Sequence, residues 1–415
     1  MKLVGLITEY NPFHNGHKYH IEQALKTTDA DGAVVVMSGN YVQRGTPAFM
    51  PKHLRAEMAL RSGASIVLEL PVHYATGSAE YFAHGAVALL DKLNCINTIC
   101  FGCEYEDTTS LDKIAKILAQ EPPAYKTALQ NALKKGLSFP AAREEAFALY
   151  TNDYSLSKYL SEPNAILGIE YIKALYQLSS PMQWIAIKRE GSHYHDRKLE
   201  TPFASATALR QLFHMPQHDF HTFAHQINAH VPQDTFSLFA ENYHIRYPIA
   251  PDDFSLLLKS KLLTQTAQSL FQYNDISKDL ANRIMNSLNH YQYFEQFCEL
   301  LKSKELTYTR INRALLHILL NIQKEDITLF SEHGTILYAR VLGFCTQDTH
   351  ILSHLSKQTK LPLLMKTTDM NTLDDVASKM WAQDLYASNL YESVITDKYA
   401  NAFQNDCTHQ ILSIS

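Results

Sequence analysis

The alternating apolar stretch Lys2-Leu3-Val4-Gly5-Leu6-Ile7-Thr8-Glu9-Tyr10 runs directly into Asn11-Pro12-Phe13-His14-Asn15-Gly16-His17. The first part has the pattern of a buried N-terminal strand. Asn11-Pro12 ends it, because proline lacks an N–H donor and pushes the residue before it out of helical geometry. A helical pattern then starts near His17 and continues through Ile21 and Leu25. Two imidazoles therefore sit where a strand turns into a helix. The free N–H groups and positive potential of a helix start make that turn a natural phosphate seat. Gly16 lets backbone come close to a ligand, and two imidazoles can donate to phosphate oxygens as charge builds on phosphorus.

The rest of the N-terminal half repeats this rhythm. Strands are expected at 2–10, 32–38, 65–71, 97–103 and 183–189, with helical patterns at 17–28, 52–62, 78–92 and 109–136. Alternation of this kind predicts parallel βαβ units in an α/β, doubly wound sheet. Ligands of such sheets bind outside the carboxyl ends of the strands. His14, Gly39, Pro71, Gly102 and Arg189 all fall at or just after those ends, so one crevice can gather them. From about residue 205 the texture is mainly helical, through 206–213, 254–272, 277–301 and 308–322, with one further strand signal at 335–344. Two regions are expected: residues 1–213 as an α/β domain built around that crevice and 214–415 as a mainly helical one.

Composition narrows the setting. A chain of 415 residues, 46% of them apolar, can bury a sizeable core. It contains no membrane-length apolar run and does not begin like a secretory leader, so a cytoplasmic protein without a membrane partner is expected. The net charge of −5 excludes a general basic coat for nucleic acid, yet residues 257–324 carry 9 Lys+Arg against 5 Asp+Glu. Any RNA contact must therefore be a local patch. Of six cysteines, Cys100 and Cys103 form a CxxC pair. No second pair or histidine pair follows, which favours reduced cysteines at a strand end over zinc.

Several further stretches carry polar chemistry. Phe203-Ala204-Ser205-Ala206-Thr207-Ala208-Leu209-Arg210 opens a helix with hydroxyls in its first turn, suited to capping or to phosphate. Arg189, ending the fifth strand within Lys188-Arg189-Glu190-Gly191, is placed to clamp phosphate or stack on a base. Asn164, just inside the helix opened by Pro163, can cap it or bond a ribose or base edge. The segment Ser38-Gly39-Asn40-Tyr41-Val42-Gln43-Arg44-Gly45 reads as a flexible polar loop, either plain surface, a holder of a second substrate or an anchor for an RNA phosphate.

His14-Asn15-Gly16-His17 in this setting resembles the HxGH signature of the nucleotidyltransferase superfamily. That resemblance implies in-line attack on the α-phosphate of ATP with loss of pyrophosphate, and catalytic roles for His14, His17, Ser205, Thr207 and Arg210. Ile7 to His17, Ser38-Gly39-Asn40 with Gln43-Arg44-Gly45, Glu69-Leu70-Pro71, Pro163-Asn164 with Ile166-Leu167-Gly168, and Ala204-Ser205-Ala206-Thr207 are together similar to the bacterial tRNA(Met) cytidine acetate ligases. The likeness continues more loosely through Tyr308 to Ile318.

The resemblance implies activation of acetate as acetyl adenylate, then transfer to N4 of the wobble cytidine of elongator tRNA(Met). It also implies ATP with Mg²⁺ on the triphosphate. ATP contacts would be Ile7, Thr8, Glu9, Tyr10, Asn11, Pro12, Phe13, His14, Asn15, Gly16, His17, Lys18, Tyr19, His20, Gly102, Asn164 and Arg189. After Arg189 the chain reads Glu190-Gly191-Ser192-His193-Tyr194-His195, less glycine-rich than the family form. RNA contacts are expected from Lys302, Lys304, Tyr308, Arg310 and Arg313, a basic and aromatic stretch opening a helix. The rival readings are an adenylyltransferase acting on a phosphorylated small metabolite and an RNA-binding module with an inactive nucleotide fold. The long helical second half argues against the first, and the intact His14, His17, Ser205, Thr207 and Arg210 against the second.

Overall fold

The computed structural model describes residues 1–105, 107–189, 205–213 and 220–415. Five parallel strands form its centre: β1 (Leu3–Thr8), β2 (Gly32–Ser38), β3 (Ile66–Leu70), β4 (Thr98–Cys103) and β5 (Gln183–Lys188). Three more come from the second half of the chain: β6 (Ala339–Cys345), β7 (Leu363–Leu364) and β8 (Leu412–Ile414). The order across the sheet is β8-β6-β3-β2-β1-β4-β5, with β7 paired to β6. β6 runs antiparallel to β3, while β7 and β8 run parallel to β6. The sheet therefore draws on both halves of the chain.

The central strands are buried on both faces, as parallel sheets require. Successive residues face opposite sides, so Leu3, Ile7, Val34 and Val36 enter one core and Val4, Leu6, Val35 and Met37 another. The first core is closed by α3 (Ala79–Lys92) and α4 (Pro163–Gln177), which supply Phe82, Val87, Ile169 and Ile172. The second is closed by α1 (Asn15–Thr28) and α2 (Lys52–Arg61), through Ile21, Ala24, Ala56 and Ala59. Each fully buried Val or Leu stabilises such a layer by about 1.5–3 kcal/mol.

A third core is mainly helical. Most of it comes from residues between Ile249 and Ile327, including Ile311, Leu315 and Ile318 of α6 (Tyr308–Leu320), and Tyr41 and Val72 join it from the N-terminal half. The 25-residue helix α7 (Asp375–Tyr399) joins it to the sheet. Its first turns bury Ala377, Met380 and Trp381 against the sheet, and its later turns bury Tyr391, Val394 and Ile395 in the helical core. The remaining labelled helix, α5 (Ala206–Leu212), packs Leu209 and Leu212 into the α1/α2 side.

Two expectations need adjustment. The helical pattern over 109–136 is two helices, Thr108–Gln120 and Pro123–Lys134, because Pro122 and Pro123 cannot continue the first. The 38–45 stretch is not a flexible surface loop. Tyr41–Val42 pairs with Thr46–Pro47, and Ser38, Gly39, Asn40, Tyr41 and Val42 are all buried. Gly45 closes that ribbon at φ 77. A Cβ there would overlap the backbone of Asn312 and Arg313, so glycine is what lets α6 dock on the ribbon.

Arg55 of α2 is fully buried beneath these strand ends. Its guanidinium donates to Met50 O (2.9 Å), Ser38 O (3.1 Å), Glu9 O (2.5 Å) and Gly39 O. Lysine cannot reproduce that planar fork. Arg55→Lys is expected to lower stability by about 3 kcal/mol, as when a buried charge is deprived of its partners. A urea-unfolding midpoint equal to that of the wild type would remove Arg55 from this role.

Candidate functional site

The turn after β1 is shaped by its own residues. Tyr10 adopts φ 49 and is buried, and the Asn11–Pro12 peptide is cis. His14 then caps α1. Its Nδ1 accepts from the Gly16 N–H (3.1 Å), while His17 Nδ1 accepts from the His14 N–H (3.3 Å). The two rings stack with centroids 3.7 Å apart. A neutral imidazole that accepts at Nδ1 carries its proton on Nε2. The helix cap thus fixes both rings as Nε2–H donors, the form a phosphate oxygen requires. Burial, with Arg189, His230 and Arg210 nearby, lowers the pKa of His14 to about 3. Burial, then His14 and Arg189, hold His17 well below its usual range. Both rings are therefore neutral at physiological pH, and fixed positive charge comes from arginine.

A cavity of about 580 Å³ opens over this turn. It lies at the carboxyl ends of β1, β4 and β5, where an open parallel sheet places its ligand. Ile7, Thr8, Glu9, Tyr10, Asn11, His14, His17 and His20 line it, together with Gly102, Asn164, Arg189, Ser205, Thr207 and Arg210. Pro12, Phe13, Asn15, Gly16, Lys18 and Tyr19 are not on its wall. Phe13 is buried beneath the turn, and Asn15 instead donates to Ala229 O (3.1 Å).

Each further motif has a local reason for its place. Ser205 is the N-cap of α5, accepting from Ala208 N–H at 3.1 Å, so capping and cavity lining coincide. Arg210, one turn on, donates to Thr207 Oγ1 (3.1 Å) and to Asn11 O (2.5 Å), tying α5 to the histidine turn. Phe203, Ala204 and the segment Glu190 to His195 lie outside the described residues. Asn164 is not the cap of α4. Glu104 does that work, accepting from the N–H groups of Asn164 (3.3 Å) and Ala165 (3.0 Å) and from Asn164 Nδ2 (2.5 Å). Arg189 follows β5, its N–H bonded to Cys103 O at 2.9 Å, and its side chain passes over Gly102.

Cys100 and Cys103 are both free and buried, but three strand positions put them on opposite faces, in different cores. Among the described residues no group of three or more His, Cys, Asp or Glu is gathered as a metal site.

Other residues complete the cavity wall. Gln43 and Arg44 enter from the ribbon, where Gln43 N–H donates to Glu9 Oε1 at 2.8 Å. Glu80, Arg143, Glu170 and Tyr171 form the far wall. The sequence signal for Glu170 is a lone carboxylate inside the apolar run Ile169 to Ile172. Of the expected RNA-binding residues, Arg310 and Arg313 reach the cavity, and Arg313 Nε is held by Asp275 Oδ2 at 2.8 Å. Lys302 and Lys304 lie exposed in the preceding loop, and Tyr308 packs half-buried on the helical core. No helix among the described residues is long and apolar enough to cross a membrane.

A histidine-capped strand–helix turn under a cleft at the carboxyl ends of a parallel sheet is the arrangement expected of an α/β nucleotidyltransferase. Comparison with known proteins agrees. The HIGH Nucleotidyl Transferase family profile matches residues 1–406. A tRNA(Met) cytidine acetate ligase of Caldanaerobacter subterraneus subsp. tengcongensis is 42% identical over 94% of this chain and 95% of its own. One of Acetivibrio thermocellus is 36% identical over 94% of each. The crystal structure of Thermotoga maritima TmcAL superposes with a TM-score of 0.93 at 31% identity over the whole of both chains, and its form bound with alpha-thio ATP with 0.90. The chain belongs to the HIGH nucleotidyl transferase family and, within it, to the tRNA(Met) cytidine acetate ligases.

The pKa of His14 makes a thermodynamic prediction. His73, buried edge-on against Phe330, is also lowered to about 3, chiefly by burial. For both rings the folded pKa lies below the unfolded value of 6.5. Above that pH neither state is charged and no stability is lost. As pH falls below it, the unfolded chain binds protons that the folded one refuses. Each ring should therefore cost about 2 kcal/mol of stability between pH 6.5 and 5. Urea unfolding at pH 7.5, 6 and 5 should show that acid limb, shallower in His73→Leu. An identical pH slope in wild type and variant would contradict it.

Proposed function

We propose that this protein activates acetate with ATP as acetyl adenylate and passes the acetyl group to N4 of the wobble cytidine of elongator tRNA(Met). The observation that carries the reading is the convergence of the His14/His17 turn, the α5 start and Arg189 on one cavity. In the first step a carboxylate oxygen of acetate attacks the α-phosphate and pyrophosphate leaves. His14 and His17, as Nε2–H donors, stabilise charge on the phosphoryl oxygens. Ser205, Thr207 and Arg210 hold the leaving pyrophosphate. Gly102 leaves room for the nucleoside beside Arg189 and Asn164. Mg²⁺ enters with the triphosphate as part of the substrate.

In the second step the cytosine amine attacks the acetyl carbon, AMP leaves, and the amine proton is lost. That step needs positioning more than an enzyme nucleophile. We assign the nucleotide chemistry to residues 1–213 and the tRNA contacts to residues 214–415, with Arg310 and Arg313 at the junction. Lys302, Lys304 and Tyr308 would continue that contact outward along the loop and the start of α6. A cytoplasmic setting follows from a tRNA substrate. A small-metabolite adenylyltransferase is not favoured, since relatives matched over almost the whole chain act on tRNA by name.

His14→Ala and His17→Ala should each remove about 3 kcal/mol of transition-state stabilisation, a loss of two orders of magnitude or more in acetate-dependent ATP–pyrophosphate exchange. Wild-type exchange in either variant would end the assignment of that histidine. The tRNA side is tested separately by Arg310→Glu, because Arg313 is already engaged by Asp275. Its affinity for tRNA(Met) should fall, and the slope of log K against log salt should shrink by about one for each phosphate the variant no longer neutralises. Unchanged affinity across the salt series would place the RNA elsewhere.

A further inference from the structure

The cavity extends beyond the nucleotide motifs to a wall built by Arg143, Glu170 and Phe139. Glu170 lies on α4 one residue before Tyr171, its side chain only 1% exposed. Arg143 Nη1 sits 2.6 Å from Glu170 Oε1, and Lys173 Nζ lies 3.5 Å from Glu170 Oε2. Lys173 in turn contacts Glu80 Oε1 at 2.6 Å. Among the described residues, neither oxygen of Glu170 nor Nη2 of Arg143 has a hydrogen-bond partner of proper geometry, although all three atoms are buried. Buried polar atoms left in this state are costly unless a ligand completes them.

The charges say what kind of ligand. Two carboxylates and two cations sum to zero, so a phosphate or an acetate anion placed here would meet as much repulsion as attraction. A neutral group that presents a donor beside an acceptor fits instead. Cytosine does so on its Watson–Crick edge, where the exocyclic amine adjoins the ring nitrogen and the carbonyl. A carboxylate accepts from the amine, and arginine donates to the acceptors beside it. Uracil reverses the first two groups, setting a carbonyl oxygen against Glu170 and an N–H against the guanidinium. Phe139, 51% exposed at the same end of the cavity, offers a ring face on which an unstacked base can lie.

We propose that Arg143 and Glu170 form a cytosine-reading subsite, with Phe139 as its stacking platform, that selects the base to be acetylated. The inference rests on the acetyl-transfer reading above. Glu170 and Arg143 are specificity-determining residues that also aim the amine toward the acetyl adenylate.

The experiment uses full-length protein and transcripts of tRNA(Met) that differ only in a cytidine or a uridine at the wobble position. Wild-type protein should bind the cytidine form about tenfold more tightly or better, the discrimination expected of one paired base edge. In Glu170→Gln and in Arg143→Gln that ratio should approach one, and acetyl transfer divided by acetate-dependent pyrophosphate exchange should fall about tenfold or more. Equal binding of the two transcripts by wild-type protein overturns the subsite without recourse to any variant. So does a variant with wild-type exchange that keeps both the binding ratio and the transfer ratio. Absence of acetate-dependent exchange in the wild type would instead sink the acetate-ligase reading, so the two failures are distinguishable.

Discussion

One buried guanidinium organises the part of the molecule that carries the candidate site. Arg55 rises from α2 and binds the carbonyls that end β1 and β2, at Glu9, Ser38 and Gly39. Parallel strands leave such carbonyls without partners at their carboxyl ends, where the cleft must also open. Water would ordinarily satisfy them. Here a single side chain does so from below, and the upper surface stays open to a ligand. The burial lowers the pKa of Arg55 only to about 10, so it stays charged and its hydrogen bonds keep their strength.

A second buried network explains why the C-terminal half belongs to the same sheet. Lys52, fully buried three residues before Arg55, contacts Glu69 (2.8 Å), Asp406 (2.9 Å) and Ser388 Oγ (2.8 Å). Arg340 of β6 binds the same two carboxylates, at 2.9 and 2.6 Å. Two cations and two anions balance. Asp384 nearby is pushed up to about 7 by burial and by Glu69, and it accepts from Tyr338 and from Val72 N–H. A buried network of this kind adds little net stability, but removing one member strands the others. Its effect is on register: β6, α7 and the segment at Asp406 each have one position in which the charges meet.

Much of this is legible in sequence because it is local. Strand limits follow from apolar runs bounded by turn residues, and the five N-terminal strands lie within a residue or two of expectation. The histidine turn is legible because its chemistry is compressed into Asn11 to His17. What is not legible is pairing at long range. Nothing in Ala339–Cys345 announces that it runs antiparallel to β3, some 270 residues earlier. Lys52 and Arg55 read as ordinary helix-surface charges until Glu69 and Asp406 are placed beside the first and the carbonyls of Glu9, Ser38 and Gly39 beside the second. The 38–45 stretch reads as loose because it is polar and holds two glycines. It is rigid because Asn40 accepts from Lys52 N–H and Gly45 lies under α6.

The electrostatics of the cavity differ from end to end, and the difference fits the two-step reaction proposed above. At the histidine end, neutral rings locked as donors sit among Arg189 and Arg210, so an incoming polyphosphate meets fixed positive charge without first displacing protons. A charged imidazole there would have to be built against burial and against those arginines. At the far end, opposite charges cancel and leave a directional set of donors and acceptors. The first arrangement attracts by net charge and suits any triphosphate. The second has no net charge to attract with, and can select only by matching the order of groups on a base edge. Tyr171, beside Glu170 on α4, lines the same cavity and is buried within the electrostatic reach of Glu9. On the function proposed above, separating attraction from selection in this way would let one cavity bind a common nucleotide firmly while choosing its second substrate by shape and hydrogen bonding.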